Sequence, residues 1–439
     1  MDTIVACSTP RGQSGVALIR MSGSIALKIV LELSRRKTLK PRYAELRKLI
    51  HKDRVLDEAL VISMPGPRSF TGEDVVEINC HGNPLIVDTI IEACVDLGAR
   101  PARSGEFTRR ALENGKLSLI QAESLNCLIH ASSTDGVALA QQNMTGHLDE
   151  GISSFRNALL DACAELEARL DQPEGDLEYI EDEVLCGQLR EIGDQALNAA
   201  KNWKVGRIRI HGAKVALLGS VNAGKSSLFN QLIGFKRAIV SDIPGTTRDV
   251  VEKSIYIDGL EICFFDTAGA RESSQDPIES EGIAMGLSLA QEMDLCLLVF
   301  SLLEGKSSLD LLKDKIGNTP YIEVGTHSDR LHESINCDTM VSNINGDGIS
   351  DLKLKIRSRL SERESSGAQY QLVSQRQYEL FLSLSEHCFN AAQALEGFYG
   401  PAIAAEEITE ALERLAELSG EEVREAVLDR LFTKFCIGK

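Results

Sequence analysis

The chain has 439 residues, 43% hydrophobic and 26% charged, with a net charge of −18 at pH 7. Such a length exceeds one ordinary core and predicts two or three domains. The acidic balance excludes a broad basic face for gripping nucleic-acid phosphates, while leaving room for a local basic patch or a basic partner.

No apolar run reaches the ~18–20 residues that span a bilayer, so no membrane association is expected. The opening MDTIVACSTPRGQSGVALIR lacks a basic segment followed by an apolar block and a small-residue cleavage site, and reads as mature, folded sequence. Eleven cysteines are scattered singly, with no CxxC pair. This gives no zinc-ribbon or thioredoxin signal and suits a reducing cytoplasm, with most thiols acting as small core hydrophobes.

Residues 1–116 alternate β-rich runs (TIVA, GVALIRMSG, ALVISMPGP, VVEINCHG) with Gly and Pro punctuation, and carry a helical stretch at Asn83–Leu97. They predict a small α+β domain. From 117 to 209 the pattern turns helical: Ile152, Phe155, Leu159, Cys163, Leu166 and Leu170 recur at steps of three or four. The acidic stretch Glu174–Glu183, after Pro173, reads as a solvated turn and helix start.

Residues 210–366 alternate strand and helix: KVALLG, KSSLFNQLIG, SIYIDGLEICFFDTAG, LCLLVF and YIEVG. Asp258-Gly259 between two alternating runs is a hairpin signal. The rest predicts βαβ units on a mostly parallel sheet. In 367–439 the helical pattern returns, with Leu380, Leu384, Cys388 and Leu395 on one face, and Ile408, Leu412, Leu415 and later Leu431 on another. The economical architecture is multidomain α/β and α. A helical domain, discontinuous in sequence, receives a Ras-like P-loop domain as an insertion, which is tolerated where a domain's ends lie close together.

Gly219-Ser220-Val221-Asn222-Ala223-Gly224-Lys225-Ser226 matches GxxxxGK[ST], after the apolar strand Val215–Leu218 and before a helix expected over Ser227–Ile233. The chemistry needs each part. Bare backbone turns its N–H groups around the phosphates, and a helix N-terminus favours negative charge. Lys225 reaches the β/γ-phosphates and Ser226 binds Mg²⁺. Asn222, Ala223, Gly224 and Ser227 complete this nucleotide contact.

Asp266-Thr267-Ala268-Gly269 follows the strand Ile262–Phe265 at the spacing of a GTPase switch, where Asp266 can hold the magnesium shell and Gly269 can approach the γ-phosphate. Between the two motifs lies Ser241-Asp242-Ile243-Pro244-Gly245-Thr246-Thr247, a loop with threonines of the kind that senses γ-phosphate. Guanine recognition usually uses Asn-Lys-x-Asp after a strand. Here Tyr321–Gly325 is followed by Thr326-His327-Ser328-Asp329, so only Asp329 keeps the pattern, able to accept from the guanine N1 and N2 hydrogens. Ser342-Asn343-Ile344 falls where a last base-contacting loop is expected, as a loose fit.

These residues, with both ends of the chain, resemble the MnmE (TrmE) family of tRNA uridine-modification GTPases. The resemblance covers essentially the whole chain: TIVACSTPRGQSGVALIRMSG, SFTGEDVVEINCHG, GEFTRRALENGKLSLIQAE, the core from GSVNAGKSS through PGTTRD to DTAGARES, and the terminal Cys436-Ile437-Gly438-Lys439. It implies an N-terminal domain that binds a tetrahydrofolate one-carbon donor and mediates homodimerisation, with Arg20, Glu77, Lys116 and Lys439 at the folate. Residue type alone would leave Arg20 and Glu77 as surface or capping charges.

The resemblance further implies a potassium-dependent GTPase. Asn222, Ser241, Ile243 and Thr246 would hold K⁺, and Thr247 would join Ser226 on Mg²⁺. No Gln follows the DTAG run, whose next residues are Ala270-Arg271-Glu272, and the family's water-positioning glutamate maps to Glu279 rather than Glu272 or Glu281. Cys436 maps to a functional cysteine near the folate pocket. The implied partners are tRNA and a flavoprotein (MnmG, also called GidA) that carries FAD, in a heterotetramer that modifies C5 of the wobble uridine.

Two departures stand out: THSD in place of the usual guanine pattern, and Ala102-Arg103-Ser104-Gly105 where the family usually has Pro before the Gly. An Era/Der-type ribosome-assembly GTPase is the rival reading. It requires a basic RNA-binding domain such as a KH fold, of which the sequence holds no sign. A catalytically dead scaffold is a third reading, opposed by intact Lys225, Ser226, Thr247 and Asp266.

Overall fold

The computed structural model describes residues 2–171, 179–220, 222–234, 251–266, 293–306, 309–330, 335–361, 370–397, 400–421 and 423–438. The chain divides into two compact units, one of residues 1–126, 143–189 and 386–439, the other of residues 127–142 and 190–385.

The first unit opens with β1 (Ile4–Cys7), β2 (Ser14–Ser22), α1 (Ala26–Leu33), β3 (Glu45–His51), β4 (Arg54–Met64), β5 (Val75–Gly82), α2 (Pro84–Asp96), β6 (Arg100–Pro101) and α3 (Glu106–Glu113). The strands form one sheet in the order β3-β4-β5-β2-β1-β6, antiparallel except where β6 runs parallel to β1. Its core gathers Val5, Ile19, Met21, Val61, Val76 and Ile78 from the strands against Ile29, Val30 and Leu33 of α1 and Ile90 and Cys94 of α2. The expected helix at 83–97 starts where its sequence dictates. Asn83 caps it by accepting from Leu85 N at 2.9 Å, and Pro84 fills the first helical position, where a missing N–H costs nothing.

Arg110 of α3 is 5% exposed and anchors this region. Its Nη1 donates to Asp2 O at 2.8 Å and to Glu73 Oε2 at 2.9 Å, and its Nη2 donates to Asp2 Oδ1 at 2.7 Å. Glu106 joins through Arg110 Nη2 at 3.3 Å and through Arg100. Burial pushes the Glu106 carboxyl up, but the bond from Arg100 and the Arg103 N–H outweigh it and leave the pKa below its ordinary value.

Helices follow as α4 (Leu119–His130), α5 (Thr134–Met144), α6 (His147–Asp171) and α7 (Asp182–His211). The second unit's sheet is built from β7 (Ala213–Gly219), β8 (Val251–Ile257), β9 (Leu260–Asp266), β10 (Leu295–Ser301), β11 (Tyr321–Thr326) and β12 (Thr339–Met340), with α8 (Lys225–Ile233), α9 (Leu309–Ile316) and α10 (Ile349–Ser361) beside it. The chain ends with α11 (Gln375–Glu396), α12 (Gly400–Ser419) and α13 (Glu425–Phe432).

Within the first unit α6 packs along α12. Ile152, Phe155, Leu159 and Leu166 are buried on the one, and Ile408 and Leu415 on the other. The expected α6 stripe holds up to its last turn: Cys163 is half-buried and Leu170 is 45% exposed. His387 Nδ1 lies 2.7 Å from Glu407 Oε2 and ties the middle of α11 to α12.

The second sheet has the order β12-β11-β10-β7-β9-β8, parallel except for the β8–β9 hairpin. Asp258 (φ 47°) and Gly259 (φ 77°) make that turn, both with the positive φ that a two-residue hairpin with right-handed twist requires. β7 is buried on both faces. Val215 and Leu217 join Leu228, Leu232, Leu352 and Ile356 of α8 and α10, while Ala216 and Leu218 join Leu309 and Ile316 of α9. This is why KVALLG reads as a continuous apolar run rather than an alternation.

No helix among the described residues is long and apolar enough to cross a membrane. None of the eleven cysteines forms a disulfide. Replacing Arg110 by Met strips Glu73 of its cation and leaves Asp2 and Glu106 with Arg100 alone, and is expected to cost about 3–5 kcal/mol. The Glu106 contribution is present above the ordinary carboxylate pKa and is lost as pH falls through its lowered value. Calorimetry from pH 7 to pH 3 should therefore show an earlier first transition for Arg110→Met, and a steeper acid dependence for the wild type.

Candidate functional site

The carboxyl ends of β7 and β9 lie side by side, in register at Leu217 and Asp266, with β10 on the other side of β7. Neighbouring connections leave in opposite senses there, which is where open α/β sheets hold ligands. The P-loop occupies this place. Gly219 ends β7 so close to β10 that a Cβ on it would sit 2.0 Å from Val299 O. Asn222 (φ 64°) and Gly224 (φ 82°) adopt left-handed backbone, and α8 begins at Lys225, two residues earlier than its apolar pattern indicates. Alternation of left- and right-handed residues turns successive N–H groups into one concavity, suited to an anion.

Lys225 is 9% exposed, and its Nζ folds back to Gly219 O at 3.0 Å and Ser220 O at 2.8 Å. A buried ammonium across the mouth of the loop, next to a helix N-terminus, is an arrangement for phosphate oxygens. Ala223 is buried in the cradle, and Ser226 and Ser227 are exposed on the first turn of α8, with Asn222 exposed ahead of them. Asp266 closes β9. The first-turn hydroxyl of Ser226 is a hard oxygen donor, the chemistry magnesium takes.

The base side of the site comes from the loops after β11 and β12. Thr326 is fully buried and His327 (φ 63°) is left-handed, with Nδ1 3.2 Å from Ser301 Oγ. Asp329 lies in a short 3₁₀ turn, Ser328–Arg330, its side chain 14% exposed, and its Oδ1 accepts from the buried Ser342 hydroxyl at 2.8 Å. Ser342 Oγ also accepts from Ile344 N at 3.3 Å and Asn345 N at 3.2 Å. The predicted Asp329 and the 342–344 loop are thus held together beside the P-loop. The sequence reading named Thr326 and Asn343 but not the bonds by which they join these loops to it. Thr326 Oγ1 donates to Ala223 O at 2.8 Å, and Asn343 Nδ2 donates to Gly224 O at 3.2 Å. The signal was the departure itself, a Thr where an Asn is usual.

In the first unit, the predicted folate residues Arg20 and Glu77 are cross-strand partners on β2 and β5. Arg20 Nε and Nη2 donate to Glu77 Oε1 at 2.9 and 2.8 Å, with the side chains 17% and 18% exposed. The guanidinium lies 5.7 Å from the Phe70 ring centre and 6.0 Å from that of Phe107, two aromatics the sequence reading did not name. The third, Lys116, is exposed, and its Cε would lie 3.3 Å from a Cβ on Gly72.

The C-terminal run docks here as well. Gly105 N donates to Cys436 O at 3.3 Å, Ile437 bridges to Ser104, and Ser8 Oγ donates to Gly438 O at 2.8 Å. A Cβ on Gly438 would meet Cys7 O at 2.5 Å, so this close approach to the end of β1 requires glycine. Cys436 is exposed and forms no disulfide. Val221, Ser241, Asp242, Ile243, Pro244, Gly245, Thr246, Thr247, Thr267, Ala268, Gly269, Glu279 and Lys439 lie outside the described residues.

Residues 3–116 match the family model described as GTP-binding protein TrmE N-terminus, and residues 119–436 match the model described as MnmE helical domain. The chain is 37% identical to a tRNA modification GTPase MnmE of Francisella philomiragia, covering 100% of this chain and 99% of that protein. It is 36% identical to one of Prochlorococcus marinus, covering 99% and 97%. Among solved structures it is similar to the G domain of the FeoB iron transporter of T. maritima, at 28% identity, covering 34% of this chain and 98% of that one, with a TM-score of 0.27. Two family models spanning nearly the whole chain, and relatives matched from end to end, place it plainly: this chain belongs to the MnmE (TrmE) family of tRNA modification GTPases.

Proposed function

We propose that the chain is a potassium-dependent GTPase that works as a cytoplasmic homodimer with the flavoprotein MnmG (GidA). Together they add a carboxymethylaminomethyl or aminomethyl group to C5 of the wobble uridine of certain tRNAs, from a tetrahydrofolate one-carbon donor. The observation that carries this reading is the P-loop at the end of β7, with Lys225 across its mouth and Asp329 held on its base side.

In this reading the N–H groups of Asn222, Ala223 and Gly224 bind phosphate, and Lys225 turns from the Gly219 and Ser220 carbonyls to the β/γ-oxygens. Ser226 and Thr247 would hold Mg²⁺, with Asp266 supporting its shell, and Asn222, Ser241, Ile243 and Thr246 would hold K⁺. When bound, the two cations neutralise charge that builds on the phosphoryl oxygens. Glu279 orients the attacking water. Thr267, Ala268 and Gly269, with the segment 241–247, convey the state of the γ-phosphate.

The folate reading rests on the half-buried Arg20–Glu77 pair, whose guanidinium lies beside two phenylalanine rings. A guanidinium fork, a carboxylate and flat rings suit a pterin and a glutamate tail. Lys116 and Lys439 would add positive charge. Cys436 belongs to the same pocket through the docked C-terminal run.

Two outcomes are expected. Hydrolysis of GTP measured in potassium buffer should exceed that in sodium buffer at least tenfold, and Asn222→Ala should erase the difference; equal rates for the wild type in both salts overturn the cation assignment. Mass spectrometry of nucleosides from cells lacking this chain should show loss of the C5-modified wobble uridine. Unchanged nucleosides would remove the modification claim and leave the nucleotide site standing.

A further inference from the structure

Two side chains from different loops grip consecutive carbonyls of the P-loop. Thr326, fully buried at the end of β11, donates its hydroxyl to Ala223 O at 2.8 Å. Asn343, beyond β12, donates Nδ2 to Gly224 O at 3.2 Å. The fit between them is close: a Cβ on Gly224 would lie 3.0 Å from Asn343 Nδ2 and 3.4 Å from Thr326 Oγ1. Gln231 Nε2 on α8 donates to Asn343 O at 2.8 Å, so the same loop is also held from the helix that follows the P-loop.

One atom in this arrangement is unfinished. Asn343 Oδ1 is buried and has no hydrogen-bond partner among the described residues. A buried amide oxygen without a donor is costly, and such orphans in folded proteins call for an explanation. The Nδ2 group carries a second hydrogen besides the one given to Gly224. Asn343 therefore keeps polar capacity in hand at the junction of the P-loop and the base-side loops.

The usual guanine pattern has an amide where Thr326 stands. Threonine has neither the length nor the second polar atom to do an amide's work there. We propose that Thr326 and Asn343 together replace that missing asparagine. The hydroxyl and the amide lock the P-loop to the two base-side loops, and the remaining polar atoms of the Asn343 amide engage the bound base. Asn343 is thus a positioning and specificity residue for guanine nucleotide. The proposal rests on the guanine-nucleotide reading above.

The two readings fail in different ways. Binding of N-methylanthraniloyl-GDP to the full-length protein with Mg²⁺ is the measurement. Wild-type protein that does not bind it overturns the nucleotide reading itself. With the wild type binding, Asn343→Ala is expected to weaken affinity at least tenfold, while the nucleotide-free melting temperature stays within about two degrees of the wild-type value. Asn343→Asp keeps the size but sets an acceptor against Gly224 O, and is expected to show the same loss. The double variant Thr326→Asn/Asn343→Ala returns the amide to the usual position and vacates the space it needs. It is expected to recover affinity to within threefold of the wild type. Wild-type affinity in Asn343→Ala, or a double variant that binds no better than Asn343→Ala, overturns the proposal. A merely structural asparagine would lower the melting temperature and would not be rescued from position 326.

Discussion

A loop that holds phosphate with its backbone must leave that backbone bare and still keep it from moving. These demands conflict, because bare backbone is the most mobile kind. The second unit resolves the conflict by fixing everything around the loop. β7 is buried on both faces between β9 and β10, so the strand feeding the loop cannot shift. Gly219 meets the Val299 carbonyl with no room for even a methyl group. Thr326 and Asn343 then hold the loop's far side by its own carbonyls, which leaves its N–H groups for a ligand.

The first unit solves a related problem with formal charges rather than dipoles. Arg110 is buried against the carboxylates of Glu73 and Glu106 and the half-exposed Asp2, so loop, strand end and helix are held at one point. Beside this network Arg20 pairs with Glu77 under two phenylalanine rings, only partly withdrawn from water. The contrast is informative. A cation meant only for structure is engaged on every side, as Arg110 is. Arg20 has one carboxylate, two ring faces and a partly open position, which is the condition of a group that can also take a ligand. The C-terminal run reaches the end of β1, the strand next to the one carrying Arg20, through Gly438, where only glycine allows the approach.

Much of this was legible from residue order. The hairpin at Asp258-Gly259, the cap at Asn83 and the apolar strand before the P-loop each rest on local chemistry, and local chemistry is what a sequence displays directly. The strand β3 was not legible. Glu45–His51 interleaves charged residues with few apolar ones, because it lies at the edge of its sheet and buries little. The α6 stripe failed at Leu170, since periodicity states which face could be buried and only packing decides where burial stops. The contacts of Thr326 and Asn343 with Ala223 and Gly224 join residues about 100 apart, and no spacing rule reaches that far. What the sequence displayed there was an irregularity, and its meaning lay in another loop.

The charge of −18 also takes on a narrower meaning. It weighs against a surface that binds polyanions by counterion release, since that mechanism needs many lysines and arginines on one face. It does not weigh against a nucleotide, because the P-loop meets phosphate with oriented N–H groups, a helix N-terminus and the single ammonium of Lys225. These act over a few ångströms, inside the screening length that governs the far field of the whole chain. A chain of this composition can therefore grip a triphosphate tightly and yet repel an RNA helix in general. For the tRNA reaction proposed above, the net charge favours a basic partner or a small local patch as the carrier of the polynucleotide.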